Sequence, residues 1–152
     1  MNIKNKYKDN YILLAGLRQY VENGVMLASV NFYRDSVKNY PEFDVIKNRS
    51  EILKNNASFL SSNFLVAFVE EDFPKIEDNI PENIIEIAMS IIEMQEDKET
   101  ATLTKQFLIE YAVCIAKASK EDWLSFIGIK DAISDSEAKF IKKLEKLFVT
   151  IN

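Results

Sequence analysis

Glycine and proline together take up six positions in this chain of 152 residues, three of each. A β-sandwich or barrel reverses direction at many hairpins, and each reversal draws on residues with special backbone freedom or a fixed turn geometry. Six such residues cannot serve a fold of that kind. Long helices joined by few loops make no such demand. The predicted fold class is therefore all-α, a compact bundle of about six or seven helices forming one domain over residues 1–152. An apolar fraction of 47% can build a core of that size without disulfides or a structural metal.

Hydrophobic spacing places the helices. From Tyr7 to Lys38, Leu14, Leu17, Val21, Val25, Ala28 and Phe32 recur three or four positions apart, which is one face of an amphipathic helix. Asn23-Gly24 reads as a break in it; the alternative is an unbroken helix whose Gly24 admits a neighbour at close range. Tyr40-Pro41 marks a boundary, and Pro41 to Asn55 reads as a short helix with Ser50 as a candidate cap. Ala57 to Phe73 is apolar over most of its circumference and is expected to be central, as is Thr102 to Ala118. Pro74 to Asn79 reads as a charged loop and Gln95 to Thr100 as a polar one. Between them Pro81 and Glu82 open a helix with Ile84, Ile87, Ala88, Ile91 and Ile92 as its buried stripe. Beyond Ser119 an apolar connector is expected, and Ser134 starts a last helix buried through Phe140, Ile141, Leu144, Leu147 and Phe148.

Histidine is absent. Ser-His-Asp and Cys-His catalysis, His-ligated zinc and haem, and Glu-x-x-His di-iron sites are thereby excluded within this chain. The single cysteine, Cys114, lies mid-helix among apolar neighbours and reads as a small buried hydrophobe. No catalytic constellation is left, so a non-enzymatic role is expected. The net charge is −5, and arginine supplies only Arg18, Arg34 and Arg49 of 19 basic residues. Neither a basic stripe nor a set of arginine forks is visible, so nucleic acid is not an expected partner. No apolar run is long enough to cross a membrane, and the run from Tyr11 to Leu17 is too short for a signal sequence before Arg18 interrupts it. The expected location is the cytoplasm.

Two candidate sites fall near the C-terminal end. Trp123 and Phe126 lie in the apolar stretch Trp123-Leu124-Ser125-Phe126-Ile127-Gly128-Ile129, which reads either as packing against the bundle or as an aromatic anchor for a protein partner or second copy. Ser134-Asp135-Ser136-Glu137 is a capping box, in which Ser134 caps the N–H of Glu137 and the Glu137 side chain reaches back. Ala116-Lys117-Ala118-Ser119, followed by Ile133-Ser134-Asp135-Ser136-Glu137 and then Phe140-Ile141, resembles the tail of TerB-like domains, the tellurite-resistance family. Ser119-Lys120 stands where that family has Asp-Gly. The resemblance covers about residues 107–148 and implies a helical bundle with a stress-associated binding role. It also implies a divalent cation, calcium or magnesium, on acidic loop residues: Asp135 and Glu137 on the matching motif and Asp131 nearby. Read without the resemblance, the same three carboxylates complement a helix N-terminus.

Overall fold

The structure, a computed structural model, describes residues 1–28, 41–127 and 135–150, with side chains over 1–28, 41–118 and 135–149. Every regular element among these residues is helical. In chain order they are α1 (Ile3–Tyr7), a 3₁₀ turn (Lys8–Asn10), α2 (Tyr11–Ala28), α3 (Pro41–Lys47), α4 (Ser50–Lys54) and α5 (Ala57–Leu60). Then come α6 (Asn63–Glu70), α7 (Ile84–Gln95), α8 (Lys98–Ile127) and α9 (Asp135–Thr150). The expected all-α bundle is what the chain forms.

The hub is α8, which packs on α2 through α7 and on α9; α2 runs against it and also meets α7 and α9. Phe107, Leu108, Tyr111, Ala112 and Ile115 of α8 are fully buried, as are Leu14, Leu17, Val21 and Val25 of α2. These two faces form the centre. An aromatic series closes one side of it, from Tyr7 to Phe64 to Phe68 to Phe73 to Tyr11, with successive ring centroids 5.0–5.8 Å apart. At the chain's start, α1 is fastened to the junction of α7 and α8. Tyr7 donates to Glu96 at 2.7 Å, and Lys6 pairs with the same carboxylate at 2.6 Å.

Two helices run farther than the sequence analysis expects. α2 passes through Asn23-Gly24 without a break, because the glycine serves the closer-approach role. The Phe140 ring of α9 rests where a Cβ would stand. α8 continues beyond Ser119 to Ile127, so the first part of the expected connector is helix. No glycine or proline falls between Lys98 and Ile127, and Ala-Lys-Ala-Ser-Lys-Glu is rich in helix formers. α8 also starts earlier than expected, at Lys98, where Asp97 accepts the Thr100 N–H at 2.6 Å and caps it.

Other predicted helices are cut. Ala57 to Phe73 is two pieces, because Ser62 is extended and its hydroxyl caps α6 by accepting the Leu65 N–H at 3.0 Å. The second central helix is accordingly α2, not this segment. Pro41 to Asn55 likewise splits into α3 and α4, and Ser50 is the first residue of α4 with no capping bond at the position before it. On α7 the buried face is rolled relative to the expected stripe. Ile85 and Met89 are inside, whereas Ile87 is 42% exposed.

Candidate functional site

α6 ends at Glu70, and the chain leaves it extended through Glu71. A helix end leaves carbonyls without intrahelical partners. Here two arginines from distant parts of the chain take them. Arg18 of α2 donates from Nη1 to the carbonyls of Phe68 (2.9 Å), Val69 (3.2 Å) and Glu71 (2.9 Å). Arg49, just before α4, donates from Nε to Val69 at 2.6 Å and from Nη2 to Glu71 at 3.0 Å. Its Nη1 holds the Ile46 carbonyl of α3 at 2.8 Å. The positive charges also face the negative end of the α6 dipole.

The segment after α6 is strapped to one face of α2. Tyr11 donates to Glu71 at 2.7 Å, the Arg18 guanidinium lies 4.7 Å from the Phe73 ring centroid, and Gln19 brackets Ile76. In that bracket Gln19 donates to the Ile76 carbonyl at 2.7 Å and accepts its N–H at 2.9 Å. Tyr11, Arg18 and Gln19 are seven and eight positions apart, which puts all three on neighbouring rows of one helix.

One turn beyond Arg18 lies Glu22, whose Oε2 accepts the Tyr111 hydroxyl of α8 and stands 3.8 Å from Arg18 Nε. Burial dominates the acid–base behaviour of all three. It lowers Arg18 to about 10, helped by the like charge of Arg49. It raises the Glu22 carboxyl despite the opposing effects of the Tyr111 hydroxyl and Arg18. It also raises the Tyr111 phenol, which the Glu22 charge pushes in the same direction. Tyr11, packed against Glu71, is pushed up to about 12 by desolvation first and by that carboxylate second.

A cleft of about 290 Å³ opens beside this cluster. Arg18, Glu22 and Arg49 form its polar side; Phe43 and Phe73 form apolar walls, and Lys75 and Asp72 stand in the strap. Arg18 is only 6% exposed, yet its Nη2 has no hydrogen-bond acceptor among the described residues. The arrangement can present a guanidinium N–H of Arg18 to a polar group. Among the described residues that line it, no nucleophile is paired with a base.

The residues singled out from sequence are distributed differently. Asp135 is exposed at the start of α9 and Glu137 is fully buried, and positions two apart on a helix do not share a face. The structure therefore does not bring these two carboxylates together, and Asp131 and Ser134 lie outside the described residues. Among the described residues no group of three or more His, Cys, Asp or Glu side chains converges as a metal site. Trp123 and Phe126 belong to the last turns of α8, with side chains outside the described residues. Cys114 is half-buried and its thiol is pushed up by burial, which disfavours the reactive thiolate.

The two-arginine cluster escaped the sequence analysis, although a signal was present. Arg18 interrupts the apolar face between Leu14 and Val21, and arginine is scarce in a chain that otherwise uses lysine. No described helix is long and apolar enough to cross a membrane. No family model, curated protein or solved structure matches the chain.

Proposed function

We propose that this chain is a non-enzymatic binding protein of TerB-like kind whose ligand site is the cleft between α2, α3 and the 71–76 strap. The observation that carries the reading is Arg18, a largely buried guanidinium that lines a concave surface and whose Nη2 has no hydrogen-bond acceptor among the described residues, Nη1 being spent on the carbonyls at the end of α6 and Nε ion-paired with Glu22. A concave apolar wall with a few convergent polar groups is the usual form of a small-molecule site.

The test is two-dimensional NMR of the arginine Nε–H resonances against a fragment library of mixed charge. Saturable shifts at Arg18 and Arg49 are expected from a subset of fragments, and a library in which no member moves either resonance sinks the reading. The metal-response role implied by the resemblance is a separate reading, placed at the start of α9 rather than in the cleft. Calcium or magnesium would then raise the melting temperature through linkage, and substituting Asp135 and Glu137 would abolish the shift.

A protein partner or second copy is the second reading. Ile87 and Met94 support it, since they are 42% and 76% exposed two turns apart on α7. Light scattering on the chain and on Met94→Lys separates the cases: an oligomer that the substitution dissociates supports self-association through α7.

A further inference from the structure

We infer that the face of α2 from Tyr11 to Gln19 is a recognition site for an extended Phe-Pro-x-Ile peptide of a partner protein, and that the chain's own residues 72–79 occupy it in cis as an autoinhibitory strap. A fragment in the cleft binds beside the strap, whereas the peptide takes the strap's place, so the two sites stand or fall separately. Side chains of α2 hold the strap as they would a bound peptide. Phe73 meets the Tyr11 ring at 5.0 Å between centroids and the Arg18 guanidinium at 4.7 Å. Ile76 comes in over Gly16, where an added Cβ would stand 3.6 Å from its Cδ1. Gln19 takes the main chain of Ile76 with both ends of its amide, donating to the carbonyl at 2.7 Å and accepting the N–H at 2.9 Å. A neighbouring strand would supply the same pair of bonds to an extended peptide. Pro74 keeps Phe73 out of the helical region, so a peptide of this pattern is already extended and loses little freedom on seating.

The strap is held more lightly than its ends. Upstream, the Glu71 carbonyl is fixed by Arg18 and Arg49; downstream, Ile84 and Ile85 are buried at the start of α7. From Asp72 to Ile80, among the described residues, no backbone group bonds to another backbone group. Asp72, Pro74, Lys75, Glu77, Asp78 and Asn79 are exposed, while Phe73 and Ile76 turn toward α2. A segment seated by two side chains and one amide bracket can lift while both anchors stay in place. Its tethering at both ends gives it a high effective concentration, so a free peptide gains the site once the strap is weakened.

The experiment uses the full chain and a fluorescein-labelled peptide with the sequence of residues 72–79, read by fluorescence anisotropy. Phe73→Ser with Ile76→Ser removes both seated side chains in cis and leaves the two arginines on the α6 carbonyls. This open variant is expected to bind the peptide saturably and about tenfold or more tighter than the unaltered chain. Replacing the peptide's phenylalanine by alanine is expected to weaken binding about tenfold, and adding Gln19→Ala to the open variant to weaken it several-fold. Should the double substitution fail to fold, Ile76→Ser alone takes its place with the same expectations. Hydrogen exchange on the unaltered chain needs no variant: the Ile76 amide is expected to exchange by opening of the strap alone, well ahead of the Leu108 amide in α8. A folded open variant that binds no peptide, binds it no better than the unaltered chain, or takes the alanine peptide equally well overturns the proposal. An Ile76 amide that exchanges only together with the α8 core does the same. An open variant that dimerises, and whose dimer excess peptide does not dissociate, assigns the seat to a second copy and overturns the partner peptide. None of these outcomes bears on the fragment shifts at Arg18 and Arg49, which are read on the unaltered chain with its strap in place.

Discussion

The two ends of α6 are finished by opposite means. At its start Ser62 accepts the N–H of Leu65, three residues on, and the cap needs nothing from the rest of the chain. At its finish the carbonyls of Phe68, Val69 and Glu71 are taken by Arg18 and Arg49, 50 and 20 residues away in sequence. The first end can form in an isolated helix. The second exists only once α2, the turn before α4 and α6 have assembled. An eight-residue helix has little intrinsic stability, so the arginine end ties its persistence to the tertiary structure and to the cleft beside it. The guanidinium that finishes α6 is therefore also one that lines the cleft.

The largest break in this comparison is Arg18→Ala. It removes three hydrogen bonds, the contact with the Phe73 ring and the partner of a buried Glu22. A loss of roughly 3–5 kcal/mol is expected, as for breaking a buried pair from one side. For a chain of this length that is a fall in melting temperature of roughly 10 °C, readable by calorimetry. Arg49→Ala comes next. Arg49 is less buried and its loss leaves Arg18 on the same carbonyls, so about 2 kcal/mol is expected by urea denaturation. Because the two share the Val69 and Glu71 carbonyls, the double variant departs from additivity. An additive pair would break the view of this end as one unit.

Tyr111→Phe probes the support behind Arg18. It leaves the ring in the core and removes the hydroxyl that Glu22 accepts, with an expected cost of about 1–2 kcal/mol at neutral pH. The sign with pH follows from Glu22, whose folded carboxyl is raised chiefly by burial. A raised carboxyl means the folded state binds its proton more readily than the unfolded state. Its contribution to stability then falls as pH rises from the ordinary carboxylate range toward the folded value. The Tyr111 hydroxyl opposes that rise by bonding to the charged form. Without it the fall extends to higher pH. The variant's deficit is expected to be larger at about pH 7 than at about pH 4, by urea denaturation at the two values. A deficit that is equal at both would show that the hydroxyl does not discriminate between the two forms of Glu22.

How far the sequence revealed this architecture follows the same division. Scarcity of glycine and proline led to an all-helical bundle, the apolar circumference of Thr102 to Ala118 marked α8 as central, and the apolar row of α9 placed Leu144 and Phe148 inside. Those signals are periodic and local. The split at Ser62 was obscured because apolar residues continue on both sides of it, so one serine had to outweigh Phe59, Leu60, Phe64 and Leu65. The α6 finish was less legible still. Nothing within reach of Val69 or Glu71 in sequence announces a donor, and Arg18 reads as an interruption of an apolar run. Its meaning lies in partners brought up by the fold. Asp135 and Glu137 show the converse: a short motif, easily read, whose two carboxylates the helix turns apart.

Ser62→Ala is the smallest of these changes and the sharpest control. The lost bond is one N-cap interaction, with an expected cost of about 1 kcal/mol. Since the cap is local, its loss is expected to add to that of Arg18→Ala without coupling, in contrast to the arginine pair. Hydrogen exchange gives the spatial reading. Ser62→Ala is expected to speed exchange at the Leu65 amide, which it directly unbinds, and to leave the Glu71 amide, held by the Ala67 carbonyl, near its original rate. Arg49→Ala is expected to act the other way round. If both substitutions accelerated both amides equally, α6 would open as one piece, and its two ends would differ in chemistry but not in the stability each confers.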